Sequence, residues 1–187
     1  MSTDLADRFF SPFRVRLHGT LTPQSLLIAR ERIDALRPRL GAGDVIDLVI
    51  NSPGGYFPEA IGFYEEMVTE GVPFMATVYG RANSAAILLL CLADRRRAIS
   101  TATFRFHRPH AYPTERVGLE DAELEAHRVT LRRQEEIFAG LVAKTTGEKP
   151  REILYLMSKR RTLHADRARR IGLVTEIIPS PLERGRK

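Results

Sequence analysis

A serine hydroxyl attacks a carbonyl only when a base takes its proton and N–H groups meet the developing oxyanion. Three short segments of this chain carry residue types for that chemistry. Ser84 closes Gly80-Arg-Ala-Asn-Ser84 and is followed by an apolar run over residues 85–92, which places it at a strand-to-helix turn with the Ala85 amide behind it. In Asn51-Ser-Pro-Gly-Gly55, proline and paired glycines force a turn. Gly54 and Gly55 let the backbone approach a substrate with no Cβ in the way. His107 ends the alternating segment Thr103-Phe-Arg-Phe-His107 and is the base nearest to Ser84 in the sequence. Each element alone has a plainer reading: a helix N-cap for Ser84, a simple turn for the glycines, and a polar strand edge for His107.

Helical and strand patterns alternate around these segments. Residues 13–18 alternate apolar with polar and predict a strand. Thr22-Pro23 predicts a helix start, with Leu26, Ala29, Ile33, Leu36 and Leu40 at helical spacing and Gly41 as the stop. Residues 45–50 are rich in β-branched side chains and run into the glycine turn as a second strand. The next helix shows Ala60, Ile61, Tyr64, Met67 and Val68 on one face and ends near Gly71. Residues 74–79 predict a third strand, residues 85–92 a helix, and residues 98–99 and 103–107 short strands. A long helix is expected over 119–144 with Leu124, Leu131, Phe138 and Leu141 in one stripe. Pro150 begins another through Ile153, Leu154 and Met157, and a short helix before Gly172 leads into a strand over 173–178. This is an α/β domain. It is expected over residues 13–178, with an N-terminal extension at 1–12 and a flexible basic tail at 179–187.

A chain of 187 residues, 43% hydrophobic and 28% charged, suits one globular domain rather than disorder. The apolar run at 85–93 is too short to span a bilayer, and the first residues lack the apolar stretch of a secretory leader. The single cysteine, Cys91, excludes an intrachain disulfide and sits in apolar surroundings. A cytoplasmic protein is expected. The formal charge of +6 raises nucleic acid as a partner. The basic residues are spread, however, with Arg95-Arg96-Arg97, Lys159-Arg160-Arg161 and residues 167–170 reading as solvated edges, and tryptophan is absent. Nucleic acid is therefore not the expected partner. No metal-ligand spacing and no phosphate loop is found, so no cofactor is expected.

The joint order of these motifs resembles the family of Clp protease proteolytic subunits (ClpP-like). Ile50-Asn-Ser-Pro-Gly-Gly55 resembles its glycine signature, Gly80-Arg-Ala-Asn-Ser84-Ala-Ala its serine segment, and Thr103-Phe-Arg-Phe-His107-Arg-Pro its histidine segment. Leu141-Val-Ala-Lys-Thr-Thr-Gly147 is similar to the end of the family's handle helix, and the stretch from Leu163 to Val174 to its closing pattern. The resemblance implies a crotonase-like spiral of repeated β-β-α units with a long handle helix. It implies Ser84 as nucleophile, His107 as general base, and the amides of Gly55 and Ala85 as oxyanion hole. It also implies a peptide or unfolded-protein substrate held beside Gly54-Gly55, a homo-oligomeric ring, and an ATPase partner in trans.

One position departs from the pattern. The family's third catalytic residue is an aspartate, and the same count back from Leu163 reaches Arg160. An arginine cannot orient an imidazole as a carboxylate does, and it disfavours the imidazolium formed during attack. Three readings stay open: another acid (Asp166, Asp121 or Glu120), a Ser-His dyad without an acid, or a degenerate site in a scaffold or regulatory subunit. An acyl-CoA enzyme on the same broad fold is a weaker rival, because the Ser-then-His order argues against it. His164 in the closing motif and His110 beside the histidine segment read as a helix cap and a loop residue.

Overall fold

The β-branched run after Val45 forms the middle of a sheet. Strand β2 (Ile46–Ser52) is buried at six of its seven residues, as a strand covered on both faces must be. It lies between β1 (Arg14–His18) and β3 (Phe74–Ala82), and the order continues through β4 (Arg95–Ile99) to β7 (Glu176–Ile178), all parallel. Two short strands stand off this sheet: β5 (Thr103–Arg105) bridges to β3, and β6 (Thr162–His164) pairs antiparallel with β5. The computed structural model describes residues 12–109 and 121–183. Most of the expected N-terminal extension, His110, Glu120, the start of the long helix and the end of the basic tail lie outside them.

Helices make the crossovers. Helix α1 (Pro23–Leu36) starts on a capping box in which Thr22 and Ser25 exchange side-chain and backbone hydrogen bonds. It stops earlier than expected because Pro38 brings no N–H to an α-helical turn. The chain tightens into a 3₁₀ turn at Arg37–Arg39, and Leu40 falls beyond it. In α2 (Phe57–Thr69) the buried face is Ala60, Phe63 and Met67, whereas Val68 is 55% exposed, so the inward stripe runs through Phe63 rather than Val68. Helix α3 (Ala86–Leu90) is buried at every residue. The long helix α4 (Asp121–Thr146) packs only near its C-terminal end, through Phe138, Ala139, Val142 and Ala143. Leu124, on the expected stripe, is 46% exposed. Helices α5 (Pro150–Ser158) and α6 (Ala165–Arg170) flank β6, a strand the sequence pattern did not reveal. Among the described residues no helix is long and apolar enough to cross a membrane.

The three arginines of β4 overturn the reading of that cluster as a solvated edge. Arg97 is fully buried and Arg96 nearly so, and only Arg95 is exposed. The Arg96 guanidinium donates to the carbonyls of Ala93, Asp94, Thr145, Gly172 and Leu173, the C-terminal ends of α3, α4 and α6, where the helix dipoles favour a cation. Arg97 donates to Thr77 Oγ1 at 2.8 Å and to Asp47 Oδ2 at 3.3 Å, and Thr77 donates to Asp47 Oδ1 at 2.8 Å. Burial pushes the Asp47 carboxyl upward, against Thr77, Arg97 and Arg14, which pull it down. Burial pushes Arg97 downward. The group binds β2, β3 and β4 together across one face of the sheet.

Because Arg97 and Asp47 are both sealed from water, Arg97→Ala should cost about 3 kcal/mol or more by leaving a buried carboxylate behind. Arg95→Ala, which removes only the half-exposed pair with Glu176, should cost under about 1 kcal/mol. Urea unfolding midpoints of the two variants test this contrast.

Candidate active site

Three strand ends converge where β2, β3 and β5 finish. The register of β2 against β3 shifts between Ile50 and Ser52, and Gly80 supplies the positive φ of 83° within the irregular stretch. A Cβ at Gly80 would come within 2.8 Å of Asn51 Oδ1, so the Asn51 side chain fills the space a larger residue would need. Beyond this point the Asn83 amide donates to the Ser52 carbonyl at 3.1 Å and the Ser84 amide to the Arg105 carbonyl at 2.8 Å. The Arg105 amide donates to Asn83 Oδ1 at 2.9 Å. These bonds fix the Ser84 turn to β2 on one side and β5 on the other.

Ser84 itself has φ of 52°, the left-handed region that L side chains rarely enter. It is not the N-cap of α3: that position is Ala85, and no side-chain capping bond is made there. Gly54 (φ 92°) lies directly against the turn, and a Cβ there would sit 2.6 Å from the Asn83 carbonyl oxygen and 2.8 Å from Ser84 Cβ. Its amide donates to Ser52 Oγ at 3.0 Å, and its carbonyl accepts from Leu21 at 2.9 Å. Leu21 also accepts from Tyr56, so it covers one side of the 54–56 segment, and Gly55 presents its N–H to the other. The amides of Gly55 and Ala85 donate to no described residue.

Ser84, His107, Gly54 and Gly55 line one cavity of ≈ 540 Å³ together with the apolar side chains of Leu131, Phe138 and Met157. Ser84 and His107 share this space without a hydrogen bond between them. The imidazole Nδ1 lies 2.8 Å from the Arg108 carbonyl oxygen. A carbonyl only accepts, so the proton of that bond belongs to Nδ1 and the Nε2 lone pair is the basic one. Gln134 and His127 of α4 also face the cavity, which reading along the sequence did not single out.

Among the described residues no carboxylate lines this cavity. Asp166 lies in a separate hollow with Arg169 and Arg170, and Asp121 is exposed at the start of α4. Arg160 is exposed in the left-handed conformation, φ 48°, at the end of α5. Residue 160 stands at the turn that leads from α5 into β6, next to the last contact between that segment and the histidine strand. The antiparallel pairs Phe104↔Leu163 and Arg105↔Thr162 continue through the Phe106 amide, which donates to the Arg161 carbonyl at 2.8 Å. His164 stands at the N-cap of α6 but makes no side-chain cap bond. Cys91 is buried, and burial pushes its thiol up to about 11, away from nucleophilic use.

The sequence model of the Clp protease family matches residues 39–181. The chain belongs to the Clp protease family. An ATP-dependent Clp protease proteolytic subunit-like protein of Streptomyces coelicolor is 29% identical over 136 residues, 72% of this chain and 64% of that protein. An ATP-dependent Clp protease proteolytic subunit of Dehalococcoides mccartyi is 29% identical over 138 residues, covering 73% of this chain and 67% of the relative. Subunit 1 of Thermobifida fusca is 30% identical over 137 residues, 72% of this chain and 60% of its own length. The aligned region thus spans just under two thirds of the Streptomyces relative. The α/β architecture with its long helix is that of this Clp family.

The close contact of Gly54 with the serine turn makes a prediction. Gly54→Ala should destabilise the fold by roughly 1–3 kcal/mol, because the added methyl meets backbone and the φ is strained. Gly62→Ala, in α2 with nothing within 4 Å of the new methyl, should stabilise it by about 0.5–1 kcal/mol. Thermal unfolding of both variants distinguishes a packed glycine from a merely helical one.

Proposed function

We propose that this chain is a serine peptidase of the Clp type, with Ser84 as nucleophile and His107 as general base. One observation carries the reading: a serine held at φ 52° at a strand-to-helix turn shares a cavity with a histidine, and two amides beside it donate to no described residue. In the reaction His107 Nε2 takes the Ser84 proton as Oγ adds to a peptide carbonyl. The amides of Gly55 and Ala85 hold the oxyanion. The imidazolium then gives its proton to the departing amine, leaving an acyl-serine that water hydrolyses by the same steps. Direct hydrogen bonds between such groups are often absent until substrate binds, in keeping with the separate Ser84 and His107 here. The Gly55 edge opposite Leu21 is where an extended peptide can pair.

The Arg108 carbonyl takes over one task of the family's acid, holding the imidazole in the tautomer with Nδ1 protonated. It carries no full charge, so it balances the imidazolium less well than a carboxylate does. In the Ser-His-Asp template, loss of the acid lowers kcat by about 10⁴-fold, and a slow Ser-His dyad is the corresponding expectation. The substrate is a peptide or unfolded chain. The names of the relatives describe ATP-dependent proteolytic subunits, which supports delivery by an ATPase in trans, and assembly into a ring is part of the same proposal. A cytoplasmic setting belongs to the same reading. The second reading, a silent scaffold or regulatory subunit, draws its support from Arg160 alone.

A fluorophosphonate probe reacts only with a serine that is activated and faced by an oxyanion hole. Wild-type protein should be labelled, and Ser84→Ala and His107→Ala should not be. A folded, assembled wild type that stays unlabelled would favour the silent subunit.

The dyad makes a second prediction. Arg160→Asp sets a carboxylate where the family carries its aspartate, at a left-handed position that Asp tolerates better than Arg. It should raise kcat by about 10-fold or more. The carboxylate also favours the imidazolium and raises the histidine pKa. The acidic limb of the kcat/KM profile should therefore move to higher pH, and an unmoved limb would mean that residue 160 does not address His107.

A further inference from the structure

The ladder of β3, β5 and β6 also gathers charge. Arg81 of β3 is paired with Thr103 of β5 and Arg105 with Thr162 of β6; past that pair the Phe106 amide meets the Arg161 carbonyl, and Arg160 stands next to it at the turn from α5. Opposed residues project to the same face, and residues along a strand alternate. Arg81 and Arg105 therefore share one face, while Phe104 and Phe106 turn into the core. From Arg81 to Arg105 the step is one cross-strand diagonal of about 7–8 Å. Two guanidinium stems thus lie side by side on this face, and the exposed Arg160 follows at the turn that leads into β6.

All three arginines are exposed, and none forms an ion pair with a described residue. Elsewhere the fold does supply acids to its arginines: Arg30 meets Asp34, Glu66 and Glu70, Arg95 meets Glu176, and Arg108 meets Glu135. Like charges at this spacing repel, so the row costs stability and returns none through local pairing. Alternate side chains of an extended peptide stand about 7 Å apart, which matches the diagonal step. No aromatic residue lies on the strip formed by Arg81, Thr103, Arg105, Arg160 and Thr162, so bases of a single-stranded nucleic acid find no stacking platform there.

We propose that this diagonal binds carboxylates of an acidic peptide, in the half of the substrate that leaves as the new amine. The direction rests on the Ser84–His107 reading, because the base that protonates the leaving amine must lie on the leaving side. The binding face itself does not depend on that reading.

The test uses full-chain Ser84→Ala protein and fluorescence anisotropy. Its probes are a labelled peptide with Glu at alternate positions, the same peptide with Gln instead, and a labelled oligothymidine. The Glu peptide should bind about 10-fold more tightly than the Gln peptide, as three exposed ion pairs allow. That preference should shrink with salt and vanish in the Arg105→Gln/Arg160→Gln double variant. Equal affinity for the two peptides overturns the proposal. Oligothymidine binding that exceeds the Glu peptide and is lost in the double variant overturns it in favour of nucleic acid. With active protein, kcat/KM should be higher when the Glu block lies C-terminal to the scissile bond than N-terminal to it, and the reverse order refutes the direction. A protein that prefers the Glu peptide but resists the fluorophosphonate would refute the peptidase reading and leave this face standing.

Discussion

Everything at the candidate site depends on holding three strand ends at one point. The Ser84 turn is tied to β2 through Asn83 and Ser52, and to β5 through paired bonds in which the Ser84 amide donates to Arg105 and the Arg105 amide to Asn83. Without those ties a serine at positive φ would relax, since the conformation is intrinsically unfavourable for a residue with a Cβ. Gly54 and Gly80 are the complementary requirement. One gives the turn room to lie against the 51–55 segment, and the other supplies the backbone geometry near the register shift. The turn at Ser84 directs its amide toward β5, and the next amide, that of Ala85, donates to no described residue. An oxyanion needs such a group to be free before the reaction begins.

The sheet supporting this arrangement is pinned by charge as well as by apolar packing. A buried ion pair is weak support for stability when compared with hydrophobic residues, because desolvation offsets most of the attraction. It is strong support for register. Asp47, Thr77 and Arg97 satisfy one another only when β2, β3 and β4 keep their present alignment, and any slip strands a buried charge. Arg96 acts similarly on the opposite face, where it gathers carbonyls from the ends of three helices. The triple arginine of β4 thus divides into two buried fasteners and one exposed residue.

That division explains why parts of the molecule were not legible in the sequence. A run of three arginines looks like solvated surface, and only the carboxylate thirty residues before Thr77 and the carbonyls at distant helix ends reveal otherwise. The α/β alternation was legible because its signals are local: β-branched runs, Thr22-Pro23, and glycines at turns. Ser84, His107 and the Gly54-Gly55 turn could be singled out for the same reason, since each sits where a strand pattern stops. The Nδ1 partner of His107 could not, because a backbone carbonyl belongs to every residue and leaves no mark on residue type. Strand β6 escaped notice at three residues in length. With it escaped the register that sets the turn at Arg160 beside the end of β5.

In the proposed mechanism, the arginine at residue 160 bears on one electrostatic problem in two ways. A carboxylate there would orient the imidazole and offset the charge it gains during attack. The Arg108 carbonyl provides orientation, but the exposed arginines of β3, β5 and the turn into β6 bring no negative charge to the site. On the proposed reading, an acidic peptide lying on the diagonal supplies the negative charge that residue 160 lacks. Its carboxylates bring that charge to Arg105 and Arg160 as the proton arrives at His107. A neutral peptide brings no such compensation. The missing acid and the unpaired arginines then form one device, in which the substrate completes the charge balance of the site, and selectivity for acidic chains is a consequence of the loss rather than an addition to it.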